Sequence, residues 1–306
     1  MRSATHAIKL LSLACCLCLG IAACAKQTIS TSGKPLVATS FTVLADIARN
    51  VAGDHIDVVS ITKNGAEIHG YEPTPSDIAA VSKADLVIDN GMGLELWFEQ
   101  FMQEVNVPRI TASAGITPIP IAEDAYAGRD NPHAWMSPSN VKIYATNIAN
   151  AFAELDPAHA DTYIANAKAY GDKLDALRTR LATTLDELPE QQRALVTCEG
   201  AFSYLTHDLG LKEKYLWAVN AENQATPGQI AQAITFVNTN KIPAVFCEST
   251  VSDKPMQQVV DATDAKFGGT LYVDSLSEDN GPVPTYLDLI EYDLKIIAEG
   301  LTGRNQ

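Results

Sequence analysis

Short apolar runs alternate along this chain with stretches of helical period. Residues 35–39, 56–61 and 86–89 read as buried strands, and residues 42–52, 75–81 and 94–103 as the helices between and after them. After residue 189 the alternation resumes. Strands are expected at 194–198, 215–219, 242–247 and 270–273, and helices near 202–208, 227–238, 255–263 and 285–301. Strands separated by helices in this way predict parallel α/β units with right-handed crossovers. Between the two tracts lies a long helical stretch. Ser137-Pro138 is a strong helix start, with Ser as N-cap and Pro at the first helical position, and Asp156-Pro157 repeats the device. From there to Leu185 the chain has no Pro and a single Gly, Gly171, and Tyr163, Ala167, Tyr170, Leu174, Leu177, Leu181 and Leu185 recur at spacings of three and four. One helix of about thirty residues, roughly 45 Å long, is expected there. The predicted architecture is two α/β lobes, residues 35–155 and 188–303, joined by a rigid spine at 156–187. Thr74-Pro75-Ser76-Asp77 and Thr226-Pro227-Gly228-Gln229 resemble capping boxes, and are assigned no chemistry.

The first residues do not fit this grammar. Arg2 and Lys9 precede an apolar run, Leu10 to Ala23, that is short for a membrane span and ends in Ile-Ala-Ala-Cys24. Residues 1–23 read as an export signal. Cys24 then becomes a lipidated first residue, and residues 24–34 a polar, lipid-anchored tether; cleavage after Ala25 is the alternative. Either way the protein is exported, to the periplasm or the cell surface. Its formal charge of −15 becomes −17 when Arg2 and Lys9 leave. Such an acidic chain is a poor partner for phosphate backbones, so no nucleic acid is expected. Export also changes the reading of the cysteines. Cys15, Cys16 and Cys18 depart with the signal, leaving Cys198 and Cys247 at the ends of two apolar runs in an oxidising compartment. Either they form a disulfide, if those runs are neighbouring strands, or they are two small buried side chains.

Four residues carry candidate chemistry: His69, His133, Glu199 and Asp274. Each lies in a turn-like segment at or near the end of an apolar run, where ligands bind in parallel α/β sheets. Two precede the spine and two follow it, so a shared divalent metal would bridge the lobes. Singly, a solvated histidine or a helix-capping carboxylate is the ordinary reading; together, two acids and two imidazoles suit one cation.

Five segments then resemble a known family: His69-Gly-Tyr-Glu-Pro-Thr-Pro-Ser-Asp77, Asn131-Pro-His-Ala-Trp-Met-Ser-Pro138, Cys198-Glu-Gly-Ala-Phe202, Phe246-Cys-Glu-Ser249 and Val273-Asp-Ser-Leu276. They resemble the cluster A-I substrate-binding proteins of bacterial metal-ion ABC transporters, nearest to the manganese- and iron-binding members. The resemblance implies that His69, His133, Glu199 and Asp274 hold Mn²⁺ or Fe²⁺ as transported substrate, with Zn²⁺ able to bind in vitro. It further implies a monomer that delivers its metal to a cognate ABC permease. Zinc-specific relatives have a third histidine where Glu199 stands. A zinc-binding member or a surface adhesin on the same scaffold are the alternatives. A metal hydrolase would need a spare acid or base, and Glu72, Asp77 and Glu248 are better explained as turn, cap and supporting residues. Metal affinity is expected to fall below about pH 6, where free histidine protonates.

Overall fold

A computed structural model describes residues 33–303 apart from 104, 124–125, 186–187 and 220–224. Residues 1–23 and Cys24 lie outside the described residues. The first half carries β1 (Leu36–Thr39), α1 (Thr42–Ala52), β2 (Asp57–Ser60), α2 (Pro75–Val81), β3 (Leu86–Asp89), α3 (Leu96–Gln103) and β4 (Arg109–Thr111). Its sheet is parallel, in the order β2-β1-β3-β4. Period-two alternation assigns its faces. Val37, Leu86 and Ile88 point to the main core, whereas Ala38 and Val87 point to a second cluster with Phe98 and Phe101 of α3. Both faces are therefore covered, which explains why these strands read as continuous apolar runs.

Then come α4 (Pro138–Leu155) and α5 (Ala160–Leu185), joined by a 3-10 turn at Pro157–His159. Ser137 caps α4 by accepting from the Asn140 amide. The spine is shorter than its sequence period suggests. Pro157 opens the 3-10 turn and the α-helix proper has 26 residues, about 39 Å at 1.5 Å per residue. It packs on α4 and α1 and on two helices of the second half, Ser203–Leu209 and Tyr286–Thr302.

The second half carries β5 (Ala194–Glu199), α6 (Ser203–Leu209), β6 (Lys212–Trp217), α7 (Pro227–Asn240), β7 (Ala244–Glu248), α8 (Lys254–Asp261), β8 (Lys266–Leu271) and α9 (Tyr286–Thr302). Here β5 pairs with β6 and β7 with β8, all parallel. β5 lies beside β7, and the Cys198–Cys247 disulfide joins them with 4.8 Å between Cα atoms, the spacing of adjacent strands. The lateral order β6-β5-β7-β8 repeats that of the first half. The expected α/β fold, with parallel sheets flanked by helices and a long helix between, is the fold observed.

The sequence reading differs from the structure at sheet edges. β4 was not foreseen, because three residues beginning with an exposed arginine carry no apolar pattern. β6 starts earlier than expected, at Lys212-Glu213-Lys214, where edge position tolerates charge. β8 also starts earlier, because Gly268 and Gly269 mask it. A Cβ at Gly268 would collide with the Phe246 ring, and Gly268 is the extra residue of β8 where the register shifts opposite Val245 and Phe246 of β7.

The two halves are interlocked. One contiguous core runs from Val37 on β1 to Leu301 on α9. Trp135 Nε1 donates to the Val273 carbonyl (3.0 Å), Tyr286 Oη to the Trp135 carbonyl (2.6 Å), and the Leu276 amide to Thr42 Oγ1 (3.0 Å). All the side chains making these contacts are buried.

Candidate metal centre

His69 lies in the loop after β2. His133 immediately precedes the 3-10 turn Ala134–Met136. Glu199 is the last residue of β5, and Asp274 follows β8. The fold brings all four together. His69 Nε2 is 3.1 Å from His133 Nε2 and 3.5 Å from Glu199 Oε1. His133 Nε2 is 3.9 Å from both Glu199 Oε1 and Asp274 Oδ1. Two donors that share one ion at about 2.1–2.2 Å lie roughly 3–4.4 Å apart, so these separations fit a single divalent cation. Relative exposure is 0% for His133 and Glu199, 2% for Asp274 and 8% for His69, which makes His69 the rim residue.

Local structure aims each group. The His133 Nδ1–H donates to Asn131 Oδ1 (2.9 Å), leaving Nε2 with its lone pair directed into the cage. Asn131 is itself clamped from the second half, its Nδ2 donating to the Gly200 carbonyl (2.6 Å) and to Ser203 Oγ (3.1 Å). The Glu199 amide donates to Glu248 Oε2 (3.1 Å), which ties the ends of β5 and β7. Neither Asn131 nor Ser275, which binds the Gly65 amide across the halves, stood out in sequence, since both roles depend on loops more than sixty residues away. Glu67 was also missed: its carboxylate, a His69 nitrogen and an Asp274 oxygen all lie within 4.8 Å of one another.

The profile of the family described as "Zinc-uptake complex component A periplasmic" (ZnuA) matches residues 37–300. The iron-binding protein YfeA of Yersinia pestis is 54% identical over 92% of this chain and 91% of its own. This chain belongs to the ZnuA family of metal ABC transporter substrate-binding proteins. The manganese ABC transporter substrate-binding lipoprotein PsaA of Streptococcus pneumoniae is 35% identical over 92% of this chain and 94% of its own. A Mn-bound periplasmic metal-binding protein from Candidatus Liberibacter asiaticus superposes with a TM-score of 0.82 at 38% identity, covering 88% of this chain and all of that one. The family is a substrate-binding component of transport, so this ZnuA-family protein is not an enzyme and the hydrolase alternative falls.

Asn131 gives the family member a testable orienting contact. Asn131→Ala is expected to weaken metal affinity 10- to 100-fold, as loss of such partners does elsewhere, and to lower the melting temperature by a few degrees because its buried partners lose their hydrogen bonds. Titration calorimetry giving an unchanged affinity would remove Asn131 from the site.

Electrostatics revise the expected pH dependence. Burial lowers the His69 pKa to about 4 and that of His133 well below its usual value, so both imidazoles stay neutral far below pH 6. Burial raises the acids instead: Asp274 to about 7, helped by the Glu67 charge, and Glu248 to about 8. The proton that competes with metal at the cage is therefore on Asp274, and affinity should fall below about pH 7 rather than below 6. The same shifts set the stability of the metal-free protein. Asp274, Glu248, Glu95 and Glu213 have folded pKa values above their unfolded ones, so their contribution is full near pH 4 and is lost as pH rises toward 7 to 8. The two lowered histidines act oppositely below about pH 6.5, His69 down to about pH 4, but the acids outnumber them. The lowered acids Asp77, Glu99 and Asp156 act only below about pH 4.5. The metal-free melting temperature should thus fall between pH 5 and 8, while the rise produced by Mn²⁺ grows. A metal-free melting temperature that climbs across this window would contradict the account.

Proposed function

We propose that this protein captures Mn²⁺ or Fe²⁺ outside the cytoplasm, through His69, His133, Glu199 and Asp274, and hands the ion to its cognate ABC permease. The observation that carries the proposal is the donor set: two neutral imidazoles and two buried carboxylates, contributed by both halves, around one point. Imidazole with carboxylate oxygens suits Mn²⁺ and Fe²⁺, whereas thiolates or a third imidazole favour zinc and copper. A relative named as an iron binder at 54% identity and one named for manganese at 35% support the same choice. Zn²⁺ lies above both in intrinsic affinity and is expected to bind in vitro. The Cys198–Cys247 disulfide suits an oxidising compartment, and Cys24 is proposed as the lipid anchor, as in the relatives named lipoproteins.

Purification without chelator, elemental analysis and competition among Mn²⁺, Fe²⁺ and Zn²⁺ test the assignment. Stoichiometric Mn or Fe is expected. Stoichiometric zinc that manganese cannot displace would overturn it.

A further inference from the structure

β6 is an edge strand, yet its second residue, Glu213, turns to the first turn of α6 rather than to solvent. Lys214 points the other way and is engaged by Glu123 (2.5 Å), so the adjacent cation is not the Glu213 counter-ion. Glu213 instead heads a chain of hydrogen bonds that ends on a proposed metal ligand. Its Oε2 accepts from the Ser203 hydroxyl (2.7 Å), and Ser203 Oγ accepts from Asn131 Nδ2 (3.1 Å). Asn131 Oδ1 then accepts from the His133 Nδ1–H (2.9 Å) and from the His133 amide (3.0 Å). Ser203, Asn131 and His133 are all buried.

The direction of this chain is forced. An ionised carboxylate only accepts, so the Ser203 hydroxyl must donate to it and present its lone pairs to Asn131. The Gly200 carbonyl holds the same Asn131 amide (2.6 Å), so the orientation of that amide does not rest on Glu213 alone. What the carboxylate adds is charge. Hydrogen bonds in series polarise one another, most where one end is ionised and water is excluded. Each link draws the next proton toward the acid. Asn131 Oδ1 becomes a stronger acceptor, and His133 Nε2 a stronger donor to a metal.

We infer that Glu213 is a positioning residue for the metal centre, acting on the His133 imidazole through Ser203 and Asn131. The inference rests on the cage proposed above. The rival role for a carboxylate at this place is to cap α6, which would change stability and leave the imidazole unmoved. Burial holds the Glu213 pKa at about 7, so the comparison is made at pH 8, where it is ionised. Metal-free wild type, Glu213→Gln, Ser203→Ala and the double variant would be compared, with Glu123→Gln as the control for charge acting through space. Circular dichroism would confirm folding, proton–nitrogen NMR would follow the imidazoles, and each protein would be titrated with Mn²⁺. In Glu213→Gln the His133 Nδ1–H proton is expected to move upfield, and Mn²⁺ affinity to fall about fivefold. Ser203→Ala should lose at least as much, and adding Glu213→Gln to it should lose nothing further. Glu123→Gln should match wild type. An unmoved His133 signal, an unchanged Mn²⁺ affinity, an equal loss in Glu123→Gln, or losses that add in the double variant would each overturn the inference. Wild type that bound no manganese would overturn the cage instead, and the His133 signal, read without metal, would still decide the role of Glu213.

Discussion

Asp274→Ala should lose at least a thousandfold in Mn²⁺ affinity while the metal-free protein becomes more stable. The two halves of this result share one cause. Asp274 is buried, its Oδ1 is without a hydrogen bond, and its pKa is pushed to about 7 by burial and by Glu67. At about 1.4 kcal/mol per pH unit, keeping it ionised at pH 7.5 costs the metal-free fold on the order of 4 kcal/mol. A divalent ion offsets that cost, and alanine removes both the cost and the ligand. A thousandfold loss corresponds to about 4 kcal/mol of binding. Melting curves with and without Mn²⁺ would show the exchange: a higher metal-free midpoint and almost no metal-induced shift. A lower metal-free midpoint would mean that the carboxylate is satisfied by the protein itself.

Removing the disulfide should have an effect of similar size on a different quantity. Cys198→Ser with Cys247→Ser opens a loop with a sequence separation of 49 and is expected to destabilise the protein by about 4 kcal/mol in the chain-entropy account. In melting temperature that is about 10 °C for a chain of this size. The bridge joins the strands that end in Glu199 and Glu248, so it also spans the two strand pairs of the second half. Urea denaturation of the double variant at saturating and at zero Mn²⁺ would measure the loss. An unchanged midpoint would show that core packing alone holds β5 against β7.

Much of this molecule is legible in its residues, because the fold uses local devices where the chain is central. Thr74 with Asp77 and Thr226 with Gln229 form reciprocal capping boxes, and α5 buries Tyr163, Tyr170, Leu174 and Leu177 at helical spacing. Glu199 and Asp274 are legible because each sits at or just past a strand's carboxyl end, where the sheet itself supplies the address, and His69 and His133 because each lies in a Gly- or Pro-marked loop. What escapes lies at edges and between loops. β4 is too short, β6 too charged and β8 too rich in glycine to show an apolar run. Glu67 gains its importance from Asp274, 207 positions away, and no local pattern encodes that meeting. Whether Cys198 meets Cys247 depends on β6 lying outside β5 rather than between the two, which is a fact of topology.

The hydrogen bonds that interlock the halves bear on time as well as shape. Trp135, Tyr286 and Thr42 join the halves through protein groups alone, around a cage whose four residues are 0–8% exposed. An ion held by the proposed cage would leave at the rate at which the rim near His69 opens, not at the rate of diffusion. That makes residence time, rather than affinity alone, the property a carrier of this build can adjust. Loops around the rim can lengthen or shorten the ion's stay without altering any of its ligands, matching it to the interval between encounters with the membrane partner.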